Sequence, residues 1–132
     1  MNQKTVIIPL PYTKPPMSAN SRFSHWAVRA KQVREIRQTA ALLARSKRLP
    51  KDADHLLVQL TYVPRDKRRR DPSNLMPTQK AIIDGLVQDY GLLPDDCQEY
   101  VTERMPRIMK PSSEPAKSRL SLELTFLWKE QD

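Results

Sequence analysis

The sequence predicts a single α+β domain, with a mixed sheet and helices packed on one of its faces. Its 132 residues suffice for one hydrophobic core and are too few for two independent cores. Segments with alternating apolar residues and segments with apolar residues at every third or fourth position follow one another in the order β-α-β-α-β-β. No linker or internal repeat divides the chain, so we expect residues 1–132 to form one domain.

The first strand and the longer helix are predicted in the amino-terminal half of the chain. Residues 4–10 form the strand, and the proline-rich stretch behind them suits neither a helix nor a central strand. A helix is expected to begin around Ser24, since Val33, Ile36 and Ala40 recur at helical spacing. It ends before Pro50, because the residue that precedes a proline is disfavoured in the helical region.

The remaining elements are predicted from alternation and from turn residues. Apolar residues alternate over residues 55–63, which predicts a strand, and the polar residues 64–74 are expected to form a loop. Pro77 suits the first turn of a second helix, which is expected to stop at Gly91. Three further segments complete the predicted fold: a strand over 99–105, a loop over 106–118 and a strand over 119–128.

Composition excludes several classes of site. With Gly85 and Gly91 as the only glycines, the chain has no glycine-rich phosphate loop, and we expect no nucleotide cofactor. The single Cys97 excludes an internal disulfide framework and a CxxC metal site. No apolar run approaches the roughly 18 residues of a membrane helix, and no signal-peptide pattern opens the chain. These features predict a cytoplasmic protein without a membrane partner.

Charge is distributed unevenly along the chain. Residues 1–50 hold ten Lys or Arg and one acid, and residues 64–70 hold five more bases and one acid. Residues 71–103 reverse the sign, with seven acids and one base. A polyanionic partner explains the basic majority, and a divalent cation held by carboxylates explains an acidic segment within a phosphate-binding protein. The alternative is chance patterning of solvated faces.

The acidic segment supplies the candidate metal ligands. Asp71 follows a predicted strand, and Asp95 and Asp96 follow the helix that returns towards it, so the two chain segments are expected to meet at one end of the sheet. Mg²⁺ prefers a few carboxylate oxygens and several waters. A metal ion in such a site activates water and stabilises a phosphate undergoing hydrolysis. The pattern is compatible with a metal-dependent nuclease.

The stretch RRRDPSNLMPTQKAIIDGLVQDYGLLPDDCQEY resembles the RusA family of Holliday-junction resolvases, which are small endodeoxyribonucleases typical of phages and prophages. The family pattern has an Arg-rich run, then D-x-D-N-L, a helix with Lys and D-[AG]-L, a Gly, and a pair of Asp residues. The amino-terminal PPMSANSRFSHW and the last strand also fit this pattern, so the resemblance covers most of the chain.

The resemblance implies a role for each matching residue. It makes Asp71, Lys80 and Asp96 catalytic, and it implies a site for Mg²⁺, or Mn²⁺ in its place. The candidate metal ligands are Asp71, Asp84, Asp95 and Asp96. The candidate DNA contacts are Lys67, Arg68, Arg69, Arg70 and Asn74. The implied partners are a four-way DNA junction and a second copy of the chain, because paired nicks in a two-fold symmetric substrate require two sites.

Two departures from the family pattern fall within this motif. Ser73 replaces the second motif acid, and three additional residues, Met76, Pro77 and Thr78, precede the helical Lys80. Either metal binding is weakened, or Asp84 or Asp95 fills the vacant ligand position. Two other functions stay open: a nuclease for other branched or flap DNA, and a DNA-binding protein without catalysis. Lys80 and Asp84 also have the spacing of an ordinary helical ion pair.

Overall fold

The computed structural model describes residues 2–17 and 25–130, and within them the chain folds into one mixed sheet with two α-helices. The predicted α+β class and the mixed sheet are therefore confirmed. The strands are β1 (Asn2–Pro9), β2 (His55–Tyr62), β3 (Val101–Glu103), β4 (Arg107–Ile108) and β5 (Leu120–Trp128). The α-helices are α1 (Trp26–Ser46) and α2 (Met76–Asp84), the latter preceded by a 3₁₀ turn (Pro72–Leu75) and followed by a π-helical stretch (Gly85–Tyr90).

The sheet has the strand order β1-β5-β2-β3, and β4 continues the edge beyond β3. β5 pairs antiparallel with both β1 and β2, whereas β3 and β4 pair parallel with β2. The register places Leu122 opposite Ile8 on one side and Leu60 on the other, so apolar side chains of all three strands share one face. Both helices cover this face, because Ile36 of α1 and Ile82 of α2 belong to the same buried cluster.

The edge formed by β3 and β4 differs from the prediction. The third strand is shorter than residues 99–105, and β4 lies within the segment that was expected to be a loop. Pro106, which has no N–H group, lies between them and interrupts the ladder. The buried side chain of Gln79 bridges the gap: Leu60 N donates to Gln79 Oε1 at 2.8 Å, and Gln79 Nε2 donates to Arg104 O at 2.7 Å.

The second helix begins earlier than Pro77, because residues 72–90 are helical throughout. Asp71 caps the 3₁₀ turn, since Ser73 N donates to Asp71 Oδ1 at 3.0 Å, and Pro72 occupies the first helical position. The polar loop is therefore shorter than residues 64–74. The predicted stop is confirmed, because Gly91 ends the stretch with a φ of 86°.

The first helix agrees with the prediction at its carboxyl end, since α1 ends before Pro50. Its predicted start at Ser24 lies outside the described residues. His25 caps α1, because Ala27 N donates to His25 Nδ1 at 3.2 Å. Among the described residues, no helix combines the length and the apolar character needed to cross a membrane.

The two helical segments approach each other most closely at Gly85. A Cβ atom at this position would lie 2.5 Å from the carbonyl oxygen of Arg37 in α1, so no side chain fits there. The Arg37 guanidinium donates to both carboxylate oxygens of Asp89, each at 2.8 Å. This contact fixes the π-helical stretch against α1 one turn beyond Gly85.

Candidate functional site

Asp84 and Asp96, which we call the carboxylate pair, are brought together around the ammonium of Lys80. Lys80 Nζ lies 2.7 Å from Asp96 Oδ2 and 3.3 Å from Asp84 Oδ1. Lys80 and Asp84 lie on adjacent turns of α2. The ion pair that their spacing predicts is therefore confirmed. Asp96 comes from the segment beyond Gly91, which makes the contact tertiary rather than local.

Local anchors place Asp96 at this position. Leu92 and Leu93 are buried in the core directly after the Gly91 turn, so the chain is held against the helix before it reaches the acids. Asp96 N then donates to Asp95 Oδ1 at 2.8 Å. The Asp95 carboxylate is therefore engaged with the backbone of its neighbour, while the Asp96 carboxylate faces Lys80.

The two carboxyl groups have opposite pKa shifts. Burial raises the pKa of Asp84, and the nearby Asp96 adds to that increase against the opposing charge of Lys80. The hydrogen bond from Lys80 lowers the pKa of Asp96. The same hydrogen bond raises the pKa of Lys80, which keeps the ammonium protonated. Adjacent groups with divergent proton affinities are typical of sites that hold a cation or transfer a proton.

Asp71 lies at the other end of the helical stretch. Thirteen residues separate it from Asp84, which at 1.5 Å per residue corresponds to about 20 Å. The two side chains cannot bind one ion over that distance. The backbone N–H of Ser73 lowers the pKa of Asp71, with a smaller contribution from the Arg69 charge.

The predicted ligands therefore do not form the single group that the sequence suggested. Within residues 2–17 and 25–130, no three His, Cys, Asp or Glu side chains lie close enough to hold a metal ion together. The reason is the continuous helix, which keeps Asp71 at its amino-terminal end and carries Asp84 towards Asp96. Ser73 is exposed in the 3₁₀ turn, also far from Asp84 along the helix.

A cationic depression, which we call the basic cleft, lies next to Asp71. It consists of two cavities of about 280 and 540 Å³ that share Lys14, Tyr62 and Arg70. Its charged lining residues are Lys14, Arg65, Asp66, Arg68, Arg69, Arg70 and Asp71. Cations thus outnumber carboxylates in the cleft.

Arg70 differs from the other predicted DNA contacts because its guanidinium is bound within the protein. It donates to the Asp66 carboxylate at 2.9 Å and to the carbonyl oxygens of Asp66 and Arg68 at 2.9 and 3.0 Å. It also lies over the Tyr62 ring, 5.9 Å from its centroid. Arg70 therefore shapes the loop, whereas the side chain of Arg68 is 79% exposed.

Asn74 is the remaining predicted contact. It lines the smaller cavity beside Asp71 and Leu75, and its backbone N donates to Asp71 O at 3.0 Å. Its side-chain amide makes no hydrogen bond within the described part of the chain. A free amide on a cavity wall offers one acceptor and two donors to a ligand.

Sequence reasoning missed three residues that build these sites. Gln79 stands at an inward position of an otherwise apolar helix face, which is a signal for a buried polar contact. Lys14 is remote in sequence, and nothing in its proline-rich context indicates that it lines the cleft. Arg119 is buried, and its guanidinium donates to the carbonyl oxygens of Val63, Ser112 and Glu114. It thereby fixes the loop before β5 beside the basic cleft.

Comparison with known protein families and with characterised proteins gives no match for this chain. The resemblance to the RusA family therefore stays a prediction from the motif.

Proposed function

We propose that this protein is a metal-dependent DNA endonuclease of the RusA kind, which cuts branched DNA at four-way junctions. The observation that carries the proposal is the contact of one ammonium group with two carboxylates from separate chain segments. Asp84 and Asp96 already hold one cation, the Lys80 ammonium, and have the charge to hold a metal ion in its place. Lys80 and Asp84 belong to the same helical stretch that begins at the basic cleft.

The donor set of the carboxylate pair suits Mg²⁺ or Mn²⁺. Mg²⁺ is commonly bound through one or two carboxylates and keeps several of its waters, so Asp84 and Asp96 suffice without a third acid. When bound, the ion supplies positive charge for the scissile phosphate and lowers the pKa of a water molecule. Asp95 is adjacent and completes the set of carboxylates in this segment.

The protein's own groups have distinct roles in this proposal. The side chain of Lys80 is 53% exposed, so its ammonium can turn from the pair towards a bound phosphate and stabilise the charge of the transition state. Burial raises the pKa of Asp84, so this carboxyl group would release its proton when the ion binds, because a ligating carboxylate is deprotonated.

The basic cleft positions the DNA relative to the carboxylate pair. Lys67, Arg68 and Arg69 bind backbone phosphates, since cations next to a polyanion gain free energy from counterion release. From Asp71 to Lys80 is nine residues, or about 14 Å along the helix, which corresponds to about four nucleotides of a duplex strand. A strand that runs from the cleft along this helix would span the distance to the carboxylate pair. Two such sites in a homodimer would make the paired nicks.

Cleavage of a synthetic four-way junction, compared with a linear duplex of the same sequence, tests the proposal. We expect cleavage of the junction in Mg²⁺ or Mn²⁺ and none with a chelator. Asp96→Asn should lower the cleavage rate at least about 100-fold, on the scale of a lost electrostatic group in an active site. Junction affinity should stay equal or increase, because a negative charge is removed.

Glu99→Gln is the matched control, since Glu99 is an exposed acid three residues from Asp96. It should cut at the wild-type rate. Junction binding without cleavage at any metal concentration would instead favour a binding protein. Equal cleavage of flaps and junctions would favour a broader branched-DNA nuclease.

A further inference from the structure

The basic cleft contains apolar surface that binding to a phosphate backbone does not require. Pro15, Tyr62, Leu75 and Ile108 all line the smaller cavity beneath the charged side chains. Backbone phosphates are bound by cations, polar side chains and backbone N–H groups, none of which requires apolar surface. Apolar area next to cations fits a ligand with both an aromatic and an anionic part.

Arg70 lines this cavity with a guanidinium that the protein already holds in place. Three hydrogen bonds to Asp66 and Arg68 hold its guanidinium, which lines both cavities of the cleft. Guanidinium planes and aromatic rings are the surfaces on which proteins stack unpaired bases. Because Arg70 is held by the protein before any ligand arrives, little conformational entropy is lost when a base stacks there.

Two cations and one amide at the rim are available to the rest of such a ligand. Lys14 and Arg69 form no ion pair within the described residues, and both line the smaller cavity. Asn74 lines the same space, and its side-chain amide forms no hydrogen bond within the described residues. The cations suit a phosphate, and an amide can read the hydrogen-bonding edge of a base.

We propose that the basic cleft binds one unstacked nucleotide, with its base on the apolar floor and its 5′-phosphate at Lys14 and Arg69. The volume of about 280 Å³ lies just below the usual range of small-molecule sites, which starts at about 300 Å³, and the adjoining cavity extends it. The nucleotide is a unit of the DNA and not a cofactor. This inference deepens the proposed function, since a nucleotide at a branch point is more easily unstacked than one within a duplex.

Titration of the full-length protein with deoxyadenosine 5′-monophosphate tests the pocket without any cleavage. Amide NMR shifts should change at cleft residues such as Asn74 and Ile108. The nucleotide should bind at least about fivefold more tightly than either inorganic phosphate or deoxyadenosine. Phosphate that binds as tightly as the nucleotide would overturn the proposal, and so would shifts outside the cleft alone.

Two variants test the binding of the phosphate and the binding of the base separately. Lys14→Gln should weaken nucleotide binding about fivefold while leaving deoxyadenosine unaffected, and Asn74→Ala should reduce the preference between bases. Lys47→Gln is the control, since Lys47 follows α1 and lines neither cavity. Unchanged nucleotide affinity in both cleft variants would contradict the assignment.

The second arm uses junctions that carry 2-aminopurine, whose fluorescence rises when it leaves the stack. A probe at the branch point should brighten when the protein binds, and the same probe within an arm should not. Nucleotide binding in a protein that cuts no DNA would support the pocket and refute the nuclease. Cleavage without nucleotide binding and without a rise in fluorescence would support the nuclease and refute the nucleotide pocket.

Discussion

At the amino-terminal end of residues 72–90, the helical stretch meets a cleft in which Lys14 and Arg69 have no ion pair among the described residues. Further along the same stretch, Lys80 lies between two carboxylates that neutralise it. The first region is ready to bind an anion as it stands. The second must exchange its internal ammonium before it can hold another cation. Under the proposed function, DNA binding and DNA cleavage would therefore depend on separate residues.

The largest expected effect comes from removing the exposed cations of the cleft. The triple variant Lys67→Gln, Arg68→Gln, Arg69→Gln should weaken junction binding by up to about 100-fold at 0.1 M salt, if each cation binds one phosphate. The slope of log affinity against log salt should fall by about 0.9 per contact. Binding measured over a range of salt concentrations checks both values. Cleavage at saturating DNA should change little, and an unchanged slope would place the DNA elsewhere.

The next effect concerns Gln79, which holds the helix that carries Lys80 and Asp84 against β2. Gln79→Leu should lower the free energy of unfolding by about 1–3 kcal/mol, because the buried Leu60 N–H loses its acceptor. Gln59→Leu is the control: Gln59 Nε2 donates to Met105 O across the same break, yet the contact is exposed. Denaturant unfolding compares the two variants. Equal losses would mean that burial of the bond is unimportant.

A smaller effect on stability and cleavage is expected when Asp71 is replaced. This variant tests whether the carboxylate pair functions independently of the residue at the cleft end of the helix. Asp71→Asn keeps a side-chain oxygen that caps the 3₁₀ turn, so the free energy of unfolding should change by no more than about 0.5 kcal/mol. Cleavage should stay within about tenfold of wild type, since the carboxylate pair is untouched. The family pattern instead implies complete loss. Rates measured with saturating junction decide between the two.

The smallest effect is on stability when Lys80 is replaced by Met. Because the Lys80 side chain is half exposed, the free energy of unfolding near neutral pH should fall by less than about 1 kcal/mol. Lys31→Met is the control, since Lys31 and Glu35 form an exposed helical pair at 3.9 Å.

The pH dependence of this variant follows from the two carboxyl groups. The pKa of Asp96 is lowered, so its stabilising contribution is present above the ordinary Asp pKa and is lost as pH falls through the folded value. The pKa of Asp84 is raised, so its contribution is present in acid and is lost as pH rises through the folded value. Without Lys80 both pKa values should increase, and stability should fall at neutral pH but not in acid. Carboxyl NMR titration and unfolding at both pH values check this.

The sequence predicts most of the fold because its signals are local. Apolar and polar residues alternate in β2 and β5 because one face of the sheet is buried. Gly91 marks a helix end because it adopts a positive φ. Pro106 marks the break between β3 and β4, but the bridge across it could not be predicted, because the Gln79 side chain reaches it from another element. The strand order likewise follows from pairing between distant segments.

The candidate site was predicted in part for the same reason. Lys80 and Asp84 are four residues apart on one helix, so their contact is a matter of spacing. The position of Asp96 beside them depends on how the chain returns after Gly91. Spacing in the sequence made Asp71 as good a candidate ligand as Asp96. Its separation from Asp84 became visible only once residues 72–90 proved to be helical throughout.

The missing side chain at Gly85 brings the helix next to Asp84 directly against α1. With its backbone at the Arg37 carbonyl, this part of the helix cannot move closer to α1. The Asp96 segment is fixed on both sides of the acid: Leu92 and Leu93 are buried before it, and after it Val101 N, at the start of β3, donates to Cys97 O at 2.9 Å. The two carboxylates are therefore held by separate parts of the fold, α1 for Asp84 and β3 for Asp96. Any change in the packing of α1 against the sheet would alter the distance between them.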